Sequence, residues 1–272
     1  MMGRMLAVNG AELFLSESGA GPQTVVFAHG LLMDHHMFAA QRAVLDPSFR
    51  TVAYDHRGQG QSSPDGPFDM DTLTEDAAAL IRQLGAPCHF VGMSMGGFVG
   101  LRLAARYPEL ISSLTLIDTS AEAEPFVKRL RYRAMQLVAR LFGPAPLVGQ
   151  ILPLMFGPTF LRSAEHVESR ERWRHHIQSL PRRIAGPVGG VIGRGSVAAE
   201  LSAIRAPTLI FVGTDDQTTT LDDAQRMASA IEGAKLVVVP NSGHSSNLEA
   251  PALVNREMLA FLSGHLKTAA AA

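Results

Sequence analysis

The chain has 272 residues, of which 46% are hydrophobic and 18% are charged, and its formal net charge is -1. This length and composition predict one large α/β domain or two smaller ones and exclude an intrinsically disordered chain, while the near-neutral charge argues against nucleic acid as a partner. The single cysteine, Cys88, excludes an internal disulfide framework and every zinc site that needs several cysteines.

The first predicted elements are a β-hairpin and a buried strand. Asn9-Gly10, a strong hairpin dipeptide, separates the strand-like runs Met5–Val8 and Ala11–Glu17. Thr24–Ala28 is continuously apolar or β-branched, which is typical of a strand buried on both faces of a parallel sheet.

A second buried strand, Thr51–Tyr54, leads into the loop Asp55–Ser62. The loop contains an acid, a histidine and an arginine, but its glycines indicate a tight turn. We expect the acid and the arginine to stabilise this turn through charge-assisted hydrogen bonds rather than to take part in bond breaking. Further on, Thr72 and Glu75 form a capping-box pattern that predicts the start of a helix.

A serine flanked by glycines lies between the predicted strand Cys88–Val91 and the predicted helix Met95–Arg106. The segment Gly92–Gly96 matches the pattern G-x-S-x-G, and a strand-turn-helix context is what a nucleophile elbow requires. Glycine at both ends of this turn lets neighbouring backbone approach without meeting a Cβ atom. We therefore predict that Ser94 is a nucleophile.

A serine hydroxyl needs a base and an orienting acid, and two later loops supply both. His244 follows the predicted strand Lys235–Val239, and Asp215 and Asp216 follow the predicted strand Thr208–Val212. Because functional residues of open parallel sheets gather at the carboxyl ends of the strands, we expect these side chains to lie near Ser94. His244 is then the base, and either aspartate holds its ring.

Two backbone N–H groups are predicted to form an oxyanion hole. Leu31 follows the His29-Gly30 turn at the end of a buried strand, and Met95 lies at the N-terminus of the helix after Ser94. His29 is expected to brace its turn by hydrogen bonding rather than to act as a base.

Residues 121–199 interrupt the alternation of strands and helices, and we predict that they form a helical cap inserted between the core segments 1–120 and 200–272. Leu141–Leu161 carries no charge and has the length of a membrane span, but its prolines and glycines are incompatible with a lipid-exposed helix. We expect this segment to form the apolar walls of a pocket.

The predicted cap is rich in basic residues. Residues 121–200 contain 12 Lys and Arg but only 6 Asp and Glu. Two interpretations are open: the cations form a solvated helix face, or they attract and orient an anionic substrate. The candidate substrate contacts in the cap are Trp173, Arg129 and Arg133.

The histidine pairs His35-His36 and His175-His176 do not have metal-ligand spacing, because adjacent side chains diverge on a helix or strand. The sequence also contains no G-x-G-x-x-G pattern and no phosphate-binding loop. We therefore expect no metal and no cofactor.

Taken together, these motifs resemble the α/β-hydrolase family, in its branch with a helical cap, over nearly the whole chain outside residues 121–200. The resemblance is carried by His29-Gly30, Asp55–Ser62 (Asp-His-Arg-Gly-Gln-Gly-Gln-Ser), Val91–Gly97, Gly213–Asp216, Gly243-His244, Glu249 and Pro251.

The resemblance implies an α/β fold with a mostly parallel sheet flanked by helices and an inserted helical cap. In this family the acid usually stands three residues after the glycine that ends its strand, which here is Asp216; Asp215 is the alternative. The proline that usually follows the acid is replaced by Gln217–Thr220, so the shape of this loop is left open.

The implied function is hydrolysis of a small carboxylic ester or lactone through an acyl-enzyme, since the pattern is most similar to 3-oxoadipate enol-lactonases and related esterases. Cofactor-free haloperoxidase or perhydrolase activity and C–C bond hydrolysis are alternatives within the family. A non-catalytic protein that binds small ligands on the same fold is the alternative from another class.

The expected partner is a small-molecule ester or lactone, without nucleic acid and without a membrane span, and a homodimer is an open alternative. The apolar run at the N-terminus is too short for a secretory signal, so we expect a cytoplasmic protein.

Overall fold

The computed structural model describes residues 2–64, 66 and 68–265. Its centre is a sheet whose strands are β1 (Met2–Val8), β2 (Ala11–Ser18), β3 (Thr24–Ala28), β4 (Arg50–Tyr54), β5 (Cys88–Met93), β6 (Ile111–Ile117), β7 (Thr208–Gly213) and β8 (Lys235–Val239). These eight strands are arranged in the order β1-β2-β4-β3-β5-β6-β7-β8. The pairs β1/β2 and β2/β4 are antiparallel and the others are parallel. The predicted α/β architecture is confirmed.

The helices lie between and after the strands. They are α1 (Ala39–Leu45), α2 (Met70–Leu84), α3 (Met95–Arg106), α4 (Phe126–Phe142), α5 (Val148–Met155), α6 (Pro158–Arg162), α7 (Val167–Ser179), α8 (Ala185–Ile192), α9 (Leu221–Ala230), α10 (Ser246–Glu249) and α11 (Pro251–Gly264).

Both faces of the sheet are covered, as the continuous apolar strands require. On β3, Val26 and Ala28 pack into one hydrophobic cluster, which includes side chains of α2, α3 and α9. Val25 and Phe27 point to the opposite face, into a second cluster with side chains of α1, α11 and the helices between β6 and β7. Alternate residues of one strand therefore anchor two helical layers.

Two local predictions can be compared directly with the structure. Asn9 and Gly10 both have positive φ, 42° and 74°, as a tight hairpin turn between β1 and β2 requires. The predicted capping box is wrong: α2 begins at Met70, and the Asp69 carboxylate caps it by accepting a hydrogen bond from the Thr72 N–H at 2.8 Å.

Five helices, α4 to α8, occupy the segment between β6 and β7. We call residues 121–199 the cap segment. The chain leaves and rejoins the sheet layer at one place, because the Val197 N–H donates to the Ala121 carbonyl at 2.8 Å. The uncharged stretch identified in the sequence is divided into the short helices α5 and α6, with Pro153 inside α5. Within the described residues, every helix is too short or too polar to cross a bilayer.

Candidate active site

Ser94 lies on the sharp turn between β5 and α3, in a backbone conformation that side chains rarely adopt (φ 48°, ψ -109°). The turn is compatible only with small flanking residues: a Cβ on Gly92 would overlap the Gly96 carbonyl, and a Cβ on Gly96 would overlap the Ala28 carbonyl on β3. The side chain of Ser94 therefore projects from the carboxyl edge of the sheet on a strained, closely packed elbow.

Three side chains form a continuous hydrogen-bonded chain at this edge. His244 Nε2 lies 2.8 Å from Ser94 Oγ, and His244 Nδ1 lies 2.8 Å from Asp216 Oδ2. All three residues are buried. The structure brings Asp216, and not Asp215, to the histidine; the Asp215 carboxylate instead lies 3.4 Å from Thr214 Oγ1.

The loop after Asp216 holds the carboxylate in place although Gln217–Thr220 replaces the proline that is usual in the family. Asp216 Oδ1 accepts hydrogen bonds from the N–H groups of Thr218 (2.7 Å) and Thr219 (3.0 Å). The Thr219 hydroxyl donates to Asp216 Oδ2 at 2.8 Å and lies 3.2 Å from His244 Nδ1. Thr219, which the sequence did not single out, thus helps to orient both ionisable groups.

The electrostatics of the pair favour a protonated ring beside an ionised acid. Burial by itself lowers the pKa of His244, but the charge and hydrogen bond of Asp216 outweigh it, so this pKa is raised above its usual value. Burial raises the pKa of Asp216, yet the charge of His244 and the hydrogen bonds from His244 and Thr219 bring it below the usual value. Proton transfer from Ser94 to His244 would therefore be supported by Asp216.

The two predicted oxyanion donors lie near Ser94. Leu31 lines the same cavity as Ser94, and Met95 begins α3 directly after it. In the described part of the chain, neither N–H donates to a protein acceptor. Gln59 lies between the two loops: its Oε1 accepts from the Leu32 N–H at 3.0 Å, and its Nε2 lies 3.6 Å from Met95 Sδ.

Two further buried carboxylates hold the loop that carries His244. Asp118 follows β6, with φ 46°, and accepts from the Gly213 N–H at 2.9 Å and the Ser246 N–H at 2.7 Å. Burial and the nearby Asp216 charge raise the pKa of Asp118 to about 7. Asp118 was not among the predicted residues; its place directly after the buried strand β6 is the signal that could have identified it.

Glu249 binds the His244 loop from the other side. It accepts hydrogen bonds from Gly243 (3.0 Å) and Ser245 (3.2 Å), and also from Gly157 of the cap segment (2.9 Å). Its carboxylate therefore connects the histidine loop to the cap, and burial raises its pKa.

A cavity of about 130 Å³ opens from Ser94 and His244 into the cap segment. On the side of the cap segment its walls are predominantly apolar side chains of α4, α5 and α8 and of the turns before α5 and α8. The cap residues with apolar side chains among them are Met135, Ala139, Pro144, Leu147, Ile151, Leu154, Met155, Ile184, Val188, Val191 and Ile192. The uncharged stretch of the sequence thus supplies part of the apolar wall that was expected of it.

The three predicted cap contacts lie outside this cavity, so their proposed role in substrate binding is corrected. Trp173 is buried in the second hydrophobic cluster with its α7 neighbour Ile177. Arg129 and Arg133 lie on the exposed side of α4, where the Arg129 guanidinium lies 5.5 Å from the centre of the Phe126 ring. The basic composition of the cap could not show which way α4 is rotated.

The cavity instead contains a buried ion pair that the sequence did not reveal. Arg194 Nη1 donates to Glu124 Oε2 at 2.6 Å, and its guanidinium lies 4.3 Å from the centre of the Phe98 ring. Within the described residues Glu124 Oε1 is buried without a hydrogen-bond partner. These residues are 70 positions apart, and no local pattern connects them.

The loops after β3 and β4 are stabilised by hydrogen bonds, as predicted, but the partner of Arg57 lies outside its own loop. His29 Nδ1 lies 2.7 Å from the Gly30 carbonyl, and its Nε2 accepts from the His56 N–H at 3.0 Å. Asp55 accepts from the Gln61 N–H within its own loop at 2.9 Å. Arg57, however, forms its ion pair with Asp76 of α2 rather than with Asp55.

One group of described residues could place metal-ligand atoms around a single point: Asp34, His35 and His36, whose candidate atoms lie within 4.8 Å of one another. Both rings already face carboxylates, because His35 Nδ1 lies 2.9 Å from Asp55 Oδ1 and His36 Nδ1 lies 3.1 Å from Asp34 Oδ1. The contacts of these side chains are therefore those of a hydrogen-bonded turn before α1.

Comparison with known proteins supports the same family. The chain is 30% identical, over 90% of its length and 95% of the relative, to a protein of Pseudomonas syringae pv. syringae (strain B728a) named "Putative carbamate hydrolase RutD". Among solved structures, a thermophilic esterase from Thermogutta terrifontis has a TM-score of 0.90 at 27% identity and covers 98% of this chain and 100% of its own. The enol-lactonase from Burkholderia xenovorans LB400 has a TM-score of 0.87 at 29% identity, with coverages of 96% and 100%. A family model described as the alpha/beta hydrolase fold matches residues 23–251, and the chain belongs to this family.

Proposed function

We propose that the protein hydrolyses a small carboxylic ester or lactone through an acyl-enzyme formed on Ser94. The observation that carries this proposal is the pair of 2.8 Å contacts that join His244 to Ser94 Oγ and to Asp216 Oδ2. This is the geometry in which a histidine can remove a proton from a serine while a carboxylate stabilises the resulting imidazolium.

The reaction follows from this geometry. Ser94 Oγ attacks the substrate carbonyl carbon while His244 Nε2 takes its proton, and the Leu31 and Met95 N–H groups bind the oxyanion of the tetrahedral intermediate. His244 then protonates the leaving oxygen as the C–O bond breaks. A water, deprotonated by His244, attacks the acyl-enzyme, and the proton returns to Ser94 Oγ as the acid is released.

The cavity supports a small, neutral acyl group. Its volume of about 130 Å³ is comparable with the roughly 150 Å³ of an engineered cavity that binds benzene. The positive charge of Arg194 is balanced by Glu124, and the exposed Arg129 and Arg133 do not reach the cavity. We therefore favour a neutral ester over an anionic acyl group, and we interpret the α4 cations as a surface feature.

A fluorophosphonate probe tests the nucleophile. We expect labelling of the wild-type protein, none of Ser94→Ala and strongly reduced labelling of His244→Ala. A folded wild-type protein that binds small molecules but is not labelled would support the non-catalytic alternative.

A substrate panel tests the reaction class. We expect short-chain p-nitrophenyl esters to be cleaved faster than long-chain esters. The panel also includes carbamates and enol-lactones, because relatives are named as RutD carbamate hydrolases and enol-lactonases. In both kinds of compound Ser94 could attack the carbonyl carbon in the same way.

Peroxide added to an ester reaction tests perhydrolysis, because peracid would then form in place of the free acid.

A further inference from the structure

The outer face of α4 carries an exposed apolar stripe. Along this helix Phe126, Leu130, Leu137 and Leu141 are 70%, 68%, 57% and 51% exposed. At 100° per residue these four side chains fall within about 60° of the helix circumference, and the exposed Val127 extends the same face. Scattered apolar side chains are normal on a protein surface, but a continuous stripe of this kind marks an interaction site.

Arginines border the stripe on both sides. Arg129, Arg133 and Arg140 lie on one side of it and Arg131 on the other, and all four are exposed. Residues 126–142 contain five Lys and Arg and no Asp or Glu. The turn that contains Arg182 and Arg183 packs against α4 and adds two exposed cations.

The arginines on α4 are available for an external anion. Within the described residues, the cap-segment arginines that form ion pairs are Arg170, Arg174 and Arg194. Lys128 lies on the inner side of α4, where its Nζ donates to the Gln217 carbonyl at 2.7 Å.

We propose that α4 docks on the surface of an anionic phospholipid bilayer, with its apolar stripe among the acyl chains and its arginines at the headgroups. A helix with a strong apolar face bordered by Arg, rich in Phe and Leu, has the composition that binds in the plane of a membrane interface. Two copies of α4 packed face to face would bring their arginines together, so the charges favour an anionic lipid over a second copy. The exposed apolar side chains between the cations fit a bilayer better than they fit a nucleic acid.

The inner face of α4, opposite the apolar stripe, faces the candidate active site. Tyr132, Met135, Gln136 and Ala139 line the cavity that contains Ser94. One helix therefore presents its outer face to the bilayer and its inner face to the site. Docking requires only the outer face and does not depend on the proposed hydrolysis.

Vesicle co-sedimentation of the full-length protein tests the proposal. We expect binding to vesicles of equal amounts of phosphatidylcholine and phosphatidylglycerol, weakening as salt is added, and little binding to phosphatidylcholine alone. Ser94→Ala should bind equally well, which separates docking from catalysis.

Two surface variants identify the face. The variant Arg129→Gln/Arg131→Gln/Arg140→Gln should bind anionic vesicles roughly 100-fold more weakly, because each arginine contributes roughly fivefold. The variant Leu130→Ser/Leu137→Ser should also lose most of its vesicle binding. The matched control Arg4→Gln/Arg205→Gln/Arg256→Gln removes the same charge from exposed positions outside the cap segment and should bind within a few-fold of wild type. Circular dichroism establishes that each variant is folded.

Three outcomes would overturn the proposal. The first is that the protein binds anionic and neutral vesicles equally well. The second is that vesicle binding weakens as much in the matched control as in the α4 arginine variant. The third is that the wild-type protein sediments as a dimer, that the leucine variant sediments as a monomer, and that lipid changes neither. The last would identify α4 as a contact between two copies of the chain.

Discussion

Asp118 Oδ2 accepts a hydrogen bond from the Ser246 N–H at 2.7 Å, two residues after His244. Its Oδ1 accepts from Gly213, at the end of the strand that leads to Asp216. One carboxylate thus fixes the relative positions of the loops that carry the candidate base and the candidate acid. Its charge also raises the pKa of His244.

Hydrolysis by the wild-type protein should depend on the protonation state of His244. The candidate base must be neutral to accept a proton, and Asp216 raises the pKa of His244 above its usual value of about 6.5 against the opposing effect of burial. We expect kcat/KM for a p-nitrophenyl ester to fall as pH decreases, with a midpoint above about 6.5. A midpoint below that value would contradict the raised pKa.

Asp118→Asn should move this acidic limb to lower pH. The ionised form of Asp118 raises the pKa of His244, and the substitution removes it; because the pKa of Asp118 is itself about 7, only part of this charge is present on the acidic limb and the expected shift is small. The amide oxygen can retain one of the two backbone hydrogen bonds. The measurement is the pH profile of kcat/KM for the variant beside wild type. A uniform loss of activity with an unchanged midpoint would show that Asp118 acts only through loop position.

The two neighbouring aspartates provide a matched pair. Asp216→Asn should lower kcat by about 10⁴-fold, because the amide cannot stabilise an imidazolium or hold the productive tautomer. Asp215→Asn, one residue away, should retain kcat within a few-fold, since its carboxylate does not contact His244. Comparable losses in the two variants would argue against the assignment of Asp216 as the acid.

Glu249 should matter for both stability and activity. In Glu249→Ala three backbone N–H groups lose their acceptor, at about 1 to 3 kcal/mol for each that stays buried and unpaired. We expect a clear loss in the free energy of unfolding by urea titration and a lower kcat from a looser His244 loop. Glu249→Gln is the control, since its single carbonyl oxygen can keep the bonds from Gly157 and Gly243. Equal losses in the free energy of unfolding for both variants would show that the negative charge of Glu249, rather than its hydrogen bonds, stabilises the fold.

The Glu124–Arg194 pair predicts strong coupling in a double-mutant cycle. Glu124→Leu or Arg194→Met alone leaves a buried charge without its partner and should destabilise the fold by about 3 to 5 kcal/mol. The double variant should recover most of that loss, because neither charge remains. Chemical denaturation of the four proteins measures the coupling, and additive losses would show that the pair contributes as two independent groups.

Residues whose position depends on local rules could be predicted from the sequence. The elbow around Ser94 follows from two glycines at a strand-helix junction, and the approach of His244 follows from its place after a parallel strand. The choice of Asp216 over Asp215 needed the family pattern and agrees with the observed contact to His244.

Features that depend on long-range packing could not be predicted. The excess of basic residues in the cap left open whether its cations face solvent or a substrate, and the structure places Arg129 and Arg133 on the exposed side of α4. Trp173 was predicted as a substrate contact, but it packs in the second hydrophobic cluster rather than against the cavity. The pairing of Glu124 with Arg194 depends on how the ends of the cap segment meet.

The hydrogen bond between Val197 and Ala121 brings the two ends of the cap segment together beside the sheet, and β6 and β7 pair directly in spite of the long connection between them. The cap segment also has a second attachment, because Glu249 accepts a hydrogen bond from Gly157 as well as from the loop of His244. A change in chain length near Gly157 would therefore be transmitted to this loop.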